Sequence, residues 1–138
     1  MIGKKILHYK IIEKLGQGGM GTVYMAEDTK LKRTVALKFL PPQALADEGD
    51  KARFIHEAQS AAALHHPNIC TVFEINEADD QVFISMAYLP GESLKEKIEG
   101  GPVKPVDVLK IASQIARGLG AAHSKQIVHR DIKPTNIM

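Results

Sequence analysis

Within six consecutive positions, Asp131 to Asn136, the sequence offers a carboxylate, an ammonium and an amide oxygen. Asp131 supplies the first, Lys133 the second and Asn136 the third, while Pro134 fixes φ and stiffens the stretch. Transfer of a phosphoryl group uses that set. It needs a carboxylate beside the attacking hydroxyl, a cation near the migrating charge, and an oxygen ligand for Mg²⁺ a few ångströms away. One tight loop, His129-Arg130-Asp131-Ile132-Lys133-Pro134-Thr135-Asn136, can present all three.

A second stretch suits phosphate by another route. In Gly16-Gln17-Gly18-Gly19-Met20-Gly21 the glycines leave backbone N–H groups free to lie directly over phosphate oxygens. Dinucleotide-binding folds use the same G-x-G-x-x-G spacing, but there the third glycine opens a helix. Here Thr22-Val23-Tyr24 follows, a poor helix start and a good strand. The spacing therefore predicts a hairpin capping a nucleotide.

The elements that must position these groups follow from periodicity. Strands are predicted at Tyr9–Leu15, Thr22–Ala26 and Thr34–Leu40. In the third, alternation sets Ala36 and Lys38 on one face and Val35 and Leu37 on the other. A helix is predicted from Asp47 to His65, with Asp47, Glu48 and Asp50 near its positive end. Phe54, Ala58, Ala61 and Leu64 would face the sheet, with Glu57 one turn from both Phe54 and Ala61. Strands at Thr71–Ile75 and Val82–Tyr88 flank a polar turn over residues 76–81. A short helix, Ser93–Glu99, has Ser93 and Glu96 at capping-box spacing. A long helix, Asp107–Lys125, carries the apolar stripe Val108, Ile111, Ile115, Leu119 and Ala122, and Ile127-Val128 reads as a brief strand. The fold class is α+β: a five-stranded antiparallel sheet carrying one helix, then the first helices of an incomplete helical part.

Composition narrows the function classes. The length suits one domain. A net charge of +2 with dispersed Lys and Arg speaks against a nucleic-acid surface. Cys70 is the sole cysteine, so neither a disulfide framework nor a cysteine metal site is expected. His65-His66 has no carboxylate or Cys companion at ligand spacing. No apolar run is long enough for a signal peptide or a membrane span, and a reducing, cytoplasmic setting is the expectation.

Four ordered motifs carry a resemblance that covers the chain from about Tyr9 onward. Gly16-x-Gly18-x-x-Gly21-x-Val23, Val35-Ala36-Leu37-Lys38, Arg53-Phe54-x-x-Glu57-Ala58 and His129-Arg130-Asp131 with Asn136 resemble those of serine/threonine protein kinases, bacterial members most of all. The resemblance implies an N-lobe over about 9–86, a hinge at 87–91 and the start of a C-lobe over 92–138. It implies ATP and Mg²⁺ as cofactors and a protein bearing Ser or Thr as substrate. Leu15, Gly16, Gln17, Gly18, Gly19, Met20, Gly21, Val23 and Ala36 would line the nucleotide, with Lys38 at its α- and β-phosphates. Met86 would gate the adenine pocket, and Ala87 and Leu89 would meet adenine through the main chain. Glu57 would pair with Lys38. Asp131 would accept the hydroxyl proton, Lys133 would reach the γ-phosphate, and Asn136 would hold Mg²⁺. Arg130 would link the loop to a phosphorylated activation segment.

Two family features are absent from these 138 residues: D-F-G, whose Asp is a second Mg²⁺ ligand, and the activation loop with A-P-E. The expectation is a kinase domain continuing beyond these residues, with the apolar stripe of the long helix short of cover. The alternative is a catalytically inactive module that binds ATP or a partner chain.

Overall fold

The computed structural model describes residues 1–18 and 21–138. They divide into two compact units, residues 1–63 with 71–88, and residues 64–70 with 89–138.

The first unit is built on a six-stranded sheet. Its strands are β1 (Lys5–Ile6), β2 (Tyr9–Gly18), β3 (Gly21–Asp28), β4 (Arg33–Phe39), β5 (Val72–Ala78) and β6 (Gln81–Ala87), in the order β1-β2-β3-β4-β6-β5 with every pair antiparallel. Five strands were expected. The sixth, β1, is two residues long, too short for any alternation to show. Two helices join β4 to β5: α1 (Pro42–Leu45), a single turn with proline at its start, and α2 (Glu48–Ala62). The Asp47 carboxylate accepts from the Asp50 amide at 3.0 Å and caps α2.

Alternation along the strands sorts side chains onto two cores. Tyr9, Ile11, Ala26, Val35, Leu37, Phe39 and Phe83 pack together with Ile6 on one face, where Phe39 and Phe83 stack at 4.8 Å. On the other face Val82 and Ile84 pack against Phe54 and Ala58 of α2, joined by Leu40. The sheet edge is tied by charge. Asp28 is 1% exposed. Its carboxylate accepts from the Lys30 and Leu31 amides at 3.0 Å each, and Arg33 and His8 lie 3.5 and 3.7 Å away.

The β5–β6 turn is tighter than its composition suggests. Asn76 and Glu77 belong to β5, and only Asp79 and Asp80 turn the chain, both with positive φ, as a two-residue hairpin requires. At the β2–β3 hairpin, Gly18 pairs with Gly21. Gly21 has φ +115°, and a Cβ there would stand 1.9 Å from the Phe39 carbonyl oxygen.

In the second unit, α3 (Leu94–Glu99) carries the expected capping box: Ser93 Oγ accepts from the Glu96 amide, and Glu96 accepts from the Ser93 amide at 2.7 Å. α4 (Pro105–Ser124) starts two residues before the expected Asp107, with proline in its first turn, where a missing N–H costs nothing. It packs through Gly118, where a Cβ would meet the Asn68 carbonyl oxygen at 3.0 Å. The stripe is thinly covered, as expected: Val108 is 49% exposed, and of the helix only Gly118 and Ala122 are buried.

Two substitutions test these constraints. Gly21→Ala needs a strained φ and a shift of the Phe39 backbone. It should cost about 2 kcal/mol or more in denaturant unfolding, whereas Gly16→Ala, with open space around it, should cost under about 1 kcal/mol. For Asp28, burial raises the pKa, but the Leu31 and Lys30 amides and the His8 and Arg33 charges outweigh it, so the net shift is downward. The unfolded chain therefore takes up this proton first. The stability that Asp28 adds over Asp28→Asn should be about 2 kcal/mol at neutral pH, begin to fall near the unfolded carboxylate value of about 4, and be lost as pH drops through the lower folded value; an advantage that grows in acid would contradict the assignment.

Candidate active site

In the first unit, candidate residues stand on the helix-bearing face of the sheet. Residues directly opposite on neighbouring strands share a face. Lys38 lies opposite Val23 on β3 and Ile84 on β6. Ala36 lies opposite Met25 and Met86. The structure thus brings Val23, Ala36, Lys38 and Met86 onto one surface, the one whose Ile84 packs with α2. Ala36 is nearly buried, while Lys38 and Met86 are half-buried. A small residue beside a cation on one surface leaves room for a flat ring with phosphates at one end. The Ala87 amide donates to the Thr71 carbonyl at 2.9 Å, tying the end of β6 to the chain entering β5.

The residue after Gly21 continues a strand, as Thr22-Val23-Tyr24 predicts, and β3 pairs antiparallel with β2. Gly16 pairs with Val23, Gln17 with Thr22 and Gly18 with Gly21. Leu15, 42% exposed, sits at an irregularity between Lys14 and Gly16. Gly19 and Met20, both in the expected nucleotide-binding set, lie outside the described residues. Glu57 is exposed on α2, whose neighbouring ion pairs join Lys51 to Glu77 and Arg53 to Asp50. A cavity of about 750 Å³ is lined by residues of both cores, Tyr24 and Phe39 of one and Leu40 and Leu45 of the other, together with Gln17, Gly18 and Gly21.

In the second unit, the candidate residues lie on a single loop. Ile127-Val128 forms no strand there, contrary to expectation, and the chain runs irregularly from α4 into the loop. Gln126 just past α4 has φ +61°, a left-handed position where glycine would be favoured. Arg130 also has a positive φ, +66°, which periodicity could not reveal. The Asp131 amide donates to His129 Nδ1 at 3.2 Å. A turn of 3₁₀ helix, Pro134–Asn136, brings Asn136 back to Asp131. Asn136 Nδ2 then donates to the Asp131 carbonyl at 2.9 Å and to its Oδ2 at 3.0 Å. Lys133 Nζ lies 3.2 Å from the same Oδ2. The loop's far end is held where the Leu94 amide, opening α3, donates to the Ile137 carbonyl at 2.7 Å.

The hydrogen bond from Lys133 and then that from Asn136 hold the Asp131 carboxyl below the usual carboxylate range. It is therefore ionised at neutral pH. Both Asn136 bonds use Nδ2, which leaves the amide oxygen as the atom suited to a hard cation. The donor set thus fits Mg²⁺ through Asn136. Among the described residues no group of three His, Cys, Asp or Glu side chains could hold a metal ion, and no helix is long and apolar enough to cross a membrane. Leu89 falls in the second unit, two residues after Ala87 in the first.

The chain is 46% identical to the serine/threonine-protein kinase PrkC of Bacillus subtilis, a match covering 100% of the chain and 22% of PrkC. It is 39% identical to the serine/threonine-protein kinase PknD of Mycobacterium tuberculosis, over 99% of the chain and 21% of PknD. The chain thus spans about a fifth of the length of these relatives. The crystal structure of the M. tuberculosis PknI kinase domain superposes with a TM-score of 0.87 at 32% identity, covering 99% of this chain and 55% of that one. The family model for the protein kinase domain matches residues 9–138. With the glycine hairpin, the strand lysine and the Asp131 loop all inside that match, the chain belongs to the protein kinase family, among its bacterial serine/threonine members.

Proposed function

We propose that these residues are part of an ATP-dependent kinase that transfers the γ-phosphate to Ser or Thr hydroxyls of a protein, in a reducing, cytoplasmic setting. The observation that carries the reading is the Asp131 loop. A carboxylate held ionised by Lys133 and Asn136 has a cation and an amide oxygen within one turn.

Each residue then has a task. Val23, Ala36 and Met86 bound the adenine. Leu15 and Gln17 flank the phosphate flap made by the glycines, whose N–H groups meet the phosphate oxygens without side chains in the way. Lys38 holds the α- and β-phosphates, and Glu57 orients Lys38. Ala87 and Leu89 meet the adenine edge through the main chain. Asp131 orients the substrate hydroxyl and accepts its proton as the oxygen attacks. Lys133 sits beside that carboxylate and meets the negative charge of the moving group. Asn136 would ligate Mg²⁺, which supplies charge neutralisation on the phosphates when bound.

A second reading, nucleotide binding without transfer by these 138 residues, is favoured by their holding one candidate Mg²⁺ ligand where the family has two. ATP titration and radiolabelled transfer to a Ser/Thr protein separate the two readings. Lys38→Met should weaken ATP binding by about tenfold or more, since it removes a charge-assisted contact. Asp131→Asn should leave ATP affinity within about twofold while lowering transfer by about a hundredfold or more. Binding without measurable transfer by the unaltered chain would establish the second reading. ATP affinity indifferent to Lys38→Met would sink both.

A further inference from the structure

Adenine contact depends on where β6 stands, because Met86 and Ala87 belong to it. Two strands, β3 and β4, separate β6 from β2 in the sheet, so no ladder hydrogen bond can join them. A side chain does. The Tyr9 phenol, on β2 and 1% exposed, reaches across the concave core to Ser85 Oγ at 3.1 Å and to Glu74 Oε1. A phenol has one proton. It goes to the carboxylate, and the Ser85 hydroxyl donates to the phenol oxygen.

The tie is buried and directional. Ser85 is 0% exposed and precedes Met86. Tyr9 packs edge-on against Phe83, two residues earlier on the same strand, at 6.1 Å. His8 leans on the phenol ring at 4.1 Å and places Nε2 3.6 Å from Glu74 Oε1. The phenol therefore grips β6 at Phe83 and Ser85 from one side of the sheet, while Met86 projects from the other.

We propose that Tyr9 and Ser85 are positioning residues for the base end of the nucleotide site: their hydrogen bond joins β2 to β6 across two intervening strands and sets the spacing between those two strands. This rests on the reading that Val23, Ala36, Met86 and Ala87 hold adenine. Neither residue touches the nucleotide. The phosphate end, at the glycine hairpin and Lys38, draws its position from the β2–β3–β4 ladders and is independent of the tie.

The difference between the two ends is the test. Affinities of the 138-residue chain for ATP and for inorganic tripolyphosphate are measured by calorimetry in the unaltered chain, Tyr9→Phe, Ser85→Ala and the double variant. Thermal unfolding confirms that each is folded. Each single variant should weaken ATP by about three- to tenfold, the size of one lost buried hydrogen bond, and leave tripolyphosphate within about twofold. The double variant should lose no more than Tyr9→Phe alone, because the Tyr9–Ser85 bond is lost in both singles and only Tyr9→Phe also loses the bond to Glu74. Where Tyr9→Phe fails to fold, Ser85→Ala alone carries the comparison. Unchanged ATP affinity in a folded single variant, parallel loss of both ligands, or additive losses in the double variant would each overturn the proposal. Failure of the unaltered chain to bind ATP would instead overturn the nucleotide reading beneath it.

Discussion

The site depends on the two-residue period of β4. Val35, Leu37 and Phe39 go to one core, and Ala36 and Lys38 go to the opposite face. An ammonium in mid-sheet is tolerable only if its face stays partly open, and a strand between two partners has no freedom to slide. A slip of one residue would bury Lys38 and expose Leu37. Ladders on both sides prevent that slip: Val23 and Ile84 flank Lys38, and Met25 and Met86 flank Ala36. Core packing and the placement of Ala36 and Lys38 are therefore one constraint. The residues that drive folding decide which side chains stand on the helix-bearing face.

Charge is used in two opposed settings. Asp28 is buried, and its environment turns a desolvation cost into net stabilisation through two amides, His8 and Arg33. Asp131 is only half-covered, and Lys133 and Asn136 depress its pKa without deep burial. The direction of shift is the same, the consequence differs. At Asp28 the depressed pKa holds the sheet edge together above the carboxylate range. At Asp131 it keeps a carboxylate charged where solvent can reach it.

Much of this was legible in the sequence because the relevant signals are local. Strand alternation at Thr34–Leu40, the strand after Gly21, and the Ser93–Glu96 capping box each depend on residues within a few positions of one another. What stayed hidden depends on partners distant in sequence or on single torsions. β1 exists because Ile6 and Lys5 find Tyr9 and Lys10 across a two-residue turn. Asn76 and Glu77 read as loop by polarity, yet they extend β5 because β6 supplies ladder partners in Phe83 and Val82. Conversely, Ile127-Val128 has strand-forming residues and no ladder. Tyr9 looked like an ordinary strand start, and nothing near it in sequence points to Ser85.

The Asp131 loop shows why irregular backbone was needed. Along an extended strand Asp131 and Lys133 would share a face, but Asn136 would point away, at about 17 Å. The Asn136 amide instead lies 3.0 Å from the Asp131 carboxylate. Closing that distance takes two departures from strand geometry. Arg130 enters in the left-handed region, at a cost on the order of 1 kcal/mol or more. Pro134 then opens a 3₁₀ turn, and it also forces Lys133, the residue before it, to be extended. Extended Lys133 keeps its ammonium on the Asp131 side while the turn folds Asn136 back. The hydrogen bonds of Asn136 and the tie from Leu94 to Ile137 offset the strained torsion, so the unusual backbone and the converged side chains each require the other.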